Sequence, residues 1–326
     1  MGITIIKAGI LDTIQDCGRF LYQYQGINPG GAMDVYAMKV ANILVGNEPT
    51  EAVIEMHFPA SAFLFSQPAL IALAGADFSA SINGEAVPHL HPILVGKNDV
   101  LQFHQPVAGA RCYLAVNGGI ETEKWLGSSS TNLIAGFGKK LQKQDELKLK
   151  KYSASIIISQ LEYRVLPWQA QTNWGDEHAG VLVLTGYEWD RLTQESKENF
   201  SMTSFVVTRD ADRMGYRLNH LPLHTLSSEE VLSSAVSFGT IQLLPDGRLI
   251  ILMADHQTTG GYPRVAHVIS AHHSKLAQYT SGDKIQFRFT SHLKAEELYL
   301  RQQQHLQQLQ NACTFRLKEF LHGSRP

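Results

Sequence analysis

Apolar positions in this chain fall in short runs bounded by Gly, Pro, Asn or Asp, which is the punctuation of β-strands. Runs at 69–74 and 77–82 lead into Asn83-Gly84. That pair suits a two-residue hairpin turn in which both central positions need φ > 0. Further strands are expected at 99–104 and at 111–116, the latter ending on Asn117-Gly118-Gly119. The second half repeats the habit at 181–185, 205–208 and 240–244, followed by a Pro245-Asp246-Gly247 turn and a strand at 249–253. The spacing predicts antiparallel hairpins and barrels, not a parallel doubly wound sheet.

Helical periodicity is rare. Asp34 is placed to cap a helix reaching Val45, with Gly46 as its stop and Val35, Met38, Ala41 and Val45 on one face. A short helix is expected at 273–279. A long one is expected at 293–321, rich in Gln, with an imperfect apolar stripe that suits docking on the body of the protein or on a partner. One internal echo stands out. Asp99-Val-Leu-Gln-Phe103, Asp145-Glu-Leu-Lys-Leu149 and Asp283-Lys-Ile-Gln-Phe287 share a polar–apolar alternation after a turn. It reads either as a structural duplication or as the common habit of starting a strand with Asp. The expected organisation is mainly β with few helices: an N-terminal β-rich domain at 1–155, a second β-barrel domain at 156–292, and a helical tail at 293–326.

Composition narrows the function. The 326 residues carry 28 Lys+Arg against 30 Asp+Glu, a formal charge of −2, so no dense basic face for nucleic acid is expected. At 44% hydrophobic and 18% charged, the chain supports a sizeable core and is not disordered. No apolar run approaches the roughly 20 residues of a membrane helix. Cys17, Cys112 and Cys313 form neither metal spacing nor a paired framework, and the first residues lack a signal-peptide pattern, so a reduced, cytoplasmic setting is expected.

Common catalytic motifs are missing. There is no Gly-x-Ser-x-Gly elbow and no His-Glu-x-x-His helix, and Leu133 and Lys140 break the P-loop pattern around Gly138-Lys139. No metal site is expected, because His89-x-His91 and His272-His273 are not joined by enough further ligands. Four polar clusters beside glycines remain. The first holds Gln15, Asp16 and Arg19; the second is Pro29-Gly30-Gly31-Ala32-Met33-Asp34, with Asn42 and Glu55 following. The third is Asp210-Ala211-Asp212-Arg213-Met214-Gly215-Tyr216-Arg217, and the fourth is Ala254-Asp255-His256-Gln257-Thr258-Thr259-Gly260-Gly261-Tyr262-Pro263, with Gln242 on the paired strand. Arg offers a forked donor for carboxylate or phosphate, glycines let backbone approach a ligand, and a polar run after an apolar strand suits a binding loop.

These clusters, in this order, resemble the biotin-dependent carboxyltransferase family. That family includes the KipA-like C component of bacterial 5-oxoprolinase and the allophanate hydrolase subunit 2 domain of urea carboxylase. The resemblance covers about residues 3–292 and implies two β-barrel-like halves, the second cyclophilin-like. It departs at Lys139-Lys140, where the family tends to have Gly-Arg, and at His256, where Arg is common.

The resemblance implies one component, inactive alone, of an ATP-dependent lactam hydrolase that opens 5-oxo-L-proline to L-glutamate. Its partners would be a KipI-like B component and an A component, with ATP bound by or shared with them. One alternative is a biotin-dependent carboxyltransferase acting on urea or a related amide. The other is a KipA-like regulator that binds a KipI-like kinase inhibitor. Under the first reading Asp34, Asp212, Arg213 and Asp255 are the expected catalytic residues. Gln15, Asp16, Arg19, Asn42, Glu55, Tyr216, Gln242, Gln257, Thr258, Thr259 and Tyr262 are the expected contacts to a small polar substrate.

Overall fold

The computed structural model describes residues 2–150, 163–172, 180–227 and 230–323, without the side chains of 321–323. The protein is mainly β with a long C-terminal helix, as the punctuation predicts. Contacts divide it into two units. One comprises Met1–Gly18, Asp34–Thr172 and Gln303–Pro326; the other comprises Arg19–Met33 and Asn173–Gln302. The boundary expected at 155/156 lies outside the described residues. The segment Arg19–Met33, counted with the N-terminal half on sequence, clusters with the second unit, and the long helix contributes residues to both.

The first unit is built on two six-stranded antiparallel sheets. One runs Glu146–Lys148, Gly2–Lys7, Ala62–Phe65, Val100–Phe103, Ala80–Ile82, Glu85–Ala86. The other runs Arg164–Val165, Pro92–Val95, Ala69–Asp77, Ala108–Val116, Val53–Met56, Thr13–Gln15. Ile3, Phe63 and Leu101 from the first sheet meet Ile54, Ile71 and Leu114 from the second in one buried core. Burying such side chains contributes about 1.5–3 kcal/mol each. The Asn83-Gly84 turn forms as expected: φ is 54° and 88°, and Ile82 pairs with Glu85. Helix α1 (Val35–Leu44) starts where Asp34 Oδ1 accepts the Ala37 N–H at 2.8 Å and ends before Gly46 at φ 77°.

The second unit holds an eight-stranded sheet whose two edges, Lys284–Ile285 and Phe287–Phe289, are consecutive stretches of chain. Lys284–Ile285 pairs with Phe205–Val207, and Phe287–Phe289 pairs in parallel with Val181–Thr185, so one bent segment nearly closes a barrel. Its core packs Phe200, Phe205, Tyr216, Ile251, Val265 and Phe287. Helix α2 (Gln194–Met202) went unforeseen, because only Ser196 and Phe200 of its residues are buried and no apolar stripe marks it. Helix α3 (His273–Ala277) and helix α4 (His292–Gly323) fall where the sequence places them. Within the second unit Leu298 of α4 packs with Leu182, Ile269 and Ala271; within the first, Tyr36 Oη meets His305 Nδ1 at 3.0 Å.

The internal echo has a local cause. The Asp99, Asp145 and Asp283 carboxylates each accept the main-chain N–H three residues earlier, from Gly96, Gln142 and Thr280. The residue before each one has positive φ: Asn98 71°, Gln144 74°, Gly282 94°. The repeated motif is an Asp-closed turn launching a strand. Asp99 is buried and also accepts from Asn83 Nδ2 at 2.8 Å, whereas Asp145 sits in an exposed turn. Charged hydrogen bonds contribute about 1.5–3 kcal/mol. Asp99→Ala is therefore expected to lower unfolding free energy by about 2 kcal/mol, and Asp145→Ala by clearly less, as read by urea denaturation.

Burial pushes the His273 imidazole down to about 3, helped by nearby His267, and lowers His256 and His267 as well. His273 stacks on Phe238 at 4.4 Å between ring centroids. In the unfolded chain a His titrates near about 6.5. Below that pH the unfolded state takes protons that the native state refuses, so stability is full above about pH 6.5 and falls as pH drops toward 3. His273→Gln is expected to be less stable at pH 7 but to lose less on acidification from pH 7 to pH 4, measured by urea unfolding at each pH.

Candidate functional site

The third and fourth clusters meet because their strands are neighbours. Gly215–Asn219 pairs with Leu249–Leu252, which pairs in turn with Thr240–Leu243. At the end of this set Arg213 Nε donates to Asp255 Oδ2 at 2.8 Å, and Arg213 Nη2 donates to Asp255 Oδ1 at 3.1 Å. Both side chains are close to buried, at 11% and 8% exposure. The same Nη2 donates to the Gly31 carbonyl at 2.6 Å, and Asn28 Nδ2 donates to the Asp255 carbonyl at 2.9 Å. Arg19, buried, lies beside them: a Cβ on Gly30 would stand 3.1 Å from Arg19 Nη1 and 3.6 Å from Asp255 Oδ1. Gly30 also has φ 62°. Glycine is needed there for both the close approach and the backbone angle.

Alternation along Gly215–Asn219 separates the neighbouring residues. Tyr216 and Leu218 face the barrel core, while Arg217 faces out. Tyr216, expected at the substrate, is 1% exposed, and its hydroxyl donates to the Tyr279 carbonyl at 3.5 Å. The exposed Arg217 instead lines a cleft of about 440 Å³ with Asp210, Asp212, Gln242, Asp246, Gln257 and Tyr262. The cleft thus collects four residues expected at the site (Asp212, Gln242, Gln257, Tyr262), two that the third cluster contained without an assigned role (Asp210, Arg217), and Asp246, expected only as part of a turn. Period-2 patterning of the strand was the signal that could have found Arg217. Asp212 Oδ1 accepts from the Met214 and Gly215 N–H groups, which fixes the carboxylate at the cleft wall. Gln242 is fully buried; its Nε2 donates to the Tyr262 carbonyl at 3.4 Å, and its Oε1 finds no partner among the described residues. Thr258 and Thr259, expected at the substrate, do not line the cleft: Thr259 pairs with Ala235 in a two-stranded ribbon, and the Thr258 carbonyl accepts from the Val236 N–H. His256 is buried, with Nδ1–H donating to the Gln257 carbonyl, so it takes over no exposed arginine contact.

In the first unit the predicted residues are engaged locally. Asp16 accepts from Gly18 N, Ser128 Oγ, Ser129 N and Ser130 Oγ at 2.6–2.8 Å. Gln15 Nε2 donates to Thr13 Oγ1 and the Thr131 carbonyl. Asn42 holds the turn after α1 through Asn47 and the Glu51 carbonyl. Asp34 and Glu55 are bridged by Tyr113, which sequence reasoning missed: its hydroxyl accepts from Asp34 N and donates to Glu55 Oε2, both at 2.8 Å. Burial, with Glu55 and Asp34 nearby, pushes that phenol well above its usual range, so it stays a neutral donor.

A mainly β protein with a nearly closed barrel and a polar cleft beside an Arg–Asp corner is the class these features define. Residues 25–289 match the family described as carboxyltransferase domain, subdomain A and B, and the chain belongs to that family. It is 32% identical to the C component of 5-oxoprolinase from Escherichia coli, over 94% of this chain and 97% of that protein. It is 28% identical to urea amidolyase of Saccharomyces cerevisiae, over 87% of this chain and 16% of that protein. The crystal structure of Kluyveromyces lactis urea carboxylase superposes with a TM-score of 0.84 at 26% identity, covering 94% of this chain and 29% of that one.

Removing one partner of a buried ion pair costs about 3–5 kcal/mol, because the other charge is left without compensation. Arg213→Ala and Asp255→Ala are each expected to lose stability on that scale. The double variant Arg213→Ala with Asp255→Ala is expected to lose less than the two single changes summed, as a double-mutant cycle by urea unfolding would read.

Proposed function

We propose that this chain is the C component of a 5-oxoprolinase and acts with a KipI-like B component and an A component to open the lactam of 5-oxo-L-proline to L-glutamate. The observation that carries the reading is the match to the C component of the E. coli 5-oxoprolinase along 97% of that protein at 32% identity. A lactam is a poor electrophile, which is why an ATP-linked route is expected. The cleft sets Asp210, Asp212 and Asp246 against Arg217 alone and does not fit a polyphosphate, so we place nucleotide on the partner proteins.

The geometry supports the following division of roles among this chain's residues. Arg217 is the cationic group that meets the substrate carboxylate at the cleft. Among the expected acids, Asp255 has both oxygens held by Arg213, and Asp34 caps a helix. Asp212, exposed at the cleft, is therefore the residue that takes or gives a proton at the ring nitrogen or the attacking water. Arg213 acts by holding the glycine loop through the Gly31 carbonyl, and Arg19 is buried at the foot of that loop, so neither is assigned a substrate contact. A second reading is supported by the urea amidolyase and urea carboxylase relatives: transfer of a carboxyl group from carboxybiotin to a urea-like amide.

The test is glutamate release from 5-oxo-L-proline and ATP by the chain mixed with the A and B components. Turnover is expected only with all three, and Asp212→Asn is expected to cut it at least about 100-fold without lowering Tm. Carboxylation of urea by carboxybiotin, with no glutamate formed, would instead establish the transferase. A stable complex with the B component that shows no turnover when the A component is added would establish the regulator.

A further inference from the structure

The segment that joins the second unit from residue 19 is a compact loop with closed ends: Arg19 N–H donates to the Pro29 carbonyl at 2.8 Å. Its base is bolted to the Arg213–Asp255 corner, through Asn28 to the Asp255 carbonyl and through Arg213 to the Gly31 carbonyl. Its tip gathers three large exposed apolar side chains within five residues. Phe20 is 57% exposed, Leu21 84% and Tyr24 81%. From Phe20 to Met33 there is no charged residue, in a chain that is 18% charged. Leu21 also has φ 73°, a conformation that is costly for a γ-branched side chain and that gains it no burial. The tip is nonetheless ordered, by a single 3-10 turn at Gln23–Gln25 that closes on Gly26 at φ 79°.

A rigidly rooted loop that shows large apolar and aromatic groups without charges has the composition of an interface core. The occupant follows from that composition. Burying a charge against Phe20, Leu21 and Tyr24 would be costly without a counter-charge, and the exposed part of the loop offers none, since Arg19 is buried at its base. The partner surface must therefore be uncharged, apolar and concave.

We propose that the loop Arg19–Pro29 is a docking element that seats Phe20, Leu21 and Tyr24 in an uncharged apolar groove of the KipI-like B component. This rests on the functional reading above, in which a protein of this family works within an assembly. It gives the buried Arg213–Asp255 pair a purpose, that of aiming the loop.

The experiment measures affinity between the purified full chain and the B component by calorimetry, for wild type and for the triple variant Phe20→Ser, Leu21→Gly, Tyr24→Ser. Leu21→Gly relieves the positive φ, so the variant is expected to keep or raise its Tm. Wild type is expected to bind, and the variant to bind at least tenfold more weakly. Equal binding by both would overturn the docking role and leave the functional reading standing. No binding by wild type would overturn the functional reading and the docking role with it. A wild-type chain that self-associates through the loop, seen as a dimer by light scattering that the variant abolishes, would overturn the choice of partner.

Discussion

The second unit depends on one buried contact, the forked pairing of Arg213 with Asp255. A buried ion pair adds little net stability over an apolar replacement, because desolvation offsets the attraction. Its value lies in direction. The guanidinium has five donors in a fixed plane, and here they reach a carboxylate and the Gly31 carbonyl together. Two strand ends and a glycine loop 182 residues away in sequence are thereby set in one geometry. A Lys at 213 would keep the charge and lose the fork.

The polar residues of the first unit obey the same constraint at a smaller scale. Asp16 satisfies a run of buried serines, Asn42 closes the end of a helix, and Tyr113 joins Glu55 to the main chain at Asp34. Each gives a partner to a buried donor or acceptor that would otherwise cost about 1–3 kcal/mol. Density of polar residues beside glycine therefore marks two different things in this chain: sealed joints and an open cleft. Exposure separates them, since Asp212 and Gln257 are exposed while Asp16 and Asn42 are buried.

Much of the fold was legible because its cues are local. Asn83-Gly84 needs two positive φ values and little else, and the Pro245-Asp246-Gly247 turn between paired strands needs one, at Gly247, whose N–H closes on the Leu244 carbonyl. The Asp echo was visible as a pattern, and its cause, a carboxylate closing its own turn, is also local. Helix α2 was not legible, because a helix that buries only Ser196 and Phe200 carries almost no periodic signal. The site was half legible. Composition found the Arg213 and Asp255 clusters, but the side on which Tyr216 or Arg217 emerges is set by strand register, which composition ignores. The Glu188–Arg264 pair, 76 residues apart, and the Tyr113 bridge, 58 residues from Glu55, arise only when the sheets form.

Hydrogen exchange across residues 19–33 in Arg213→Lys most directly tests whether the Arg213 fork fixes the glycine loop. Exchange in that segment, including the Arg19 amide held by Pro29 in the wild type, is expected to speed up at least about tenfold, an opening eased by about 1.4 kcal/mol, while amides in Thr240–Leu243 and Leu249–Leu252 keep their protection. Unchanged protection at Arg19, with the strands equally unchanged, would contradict it.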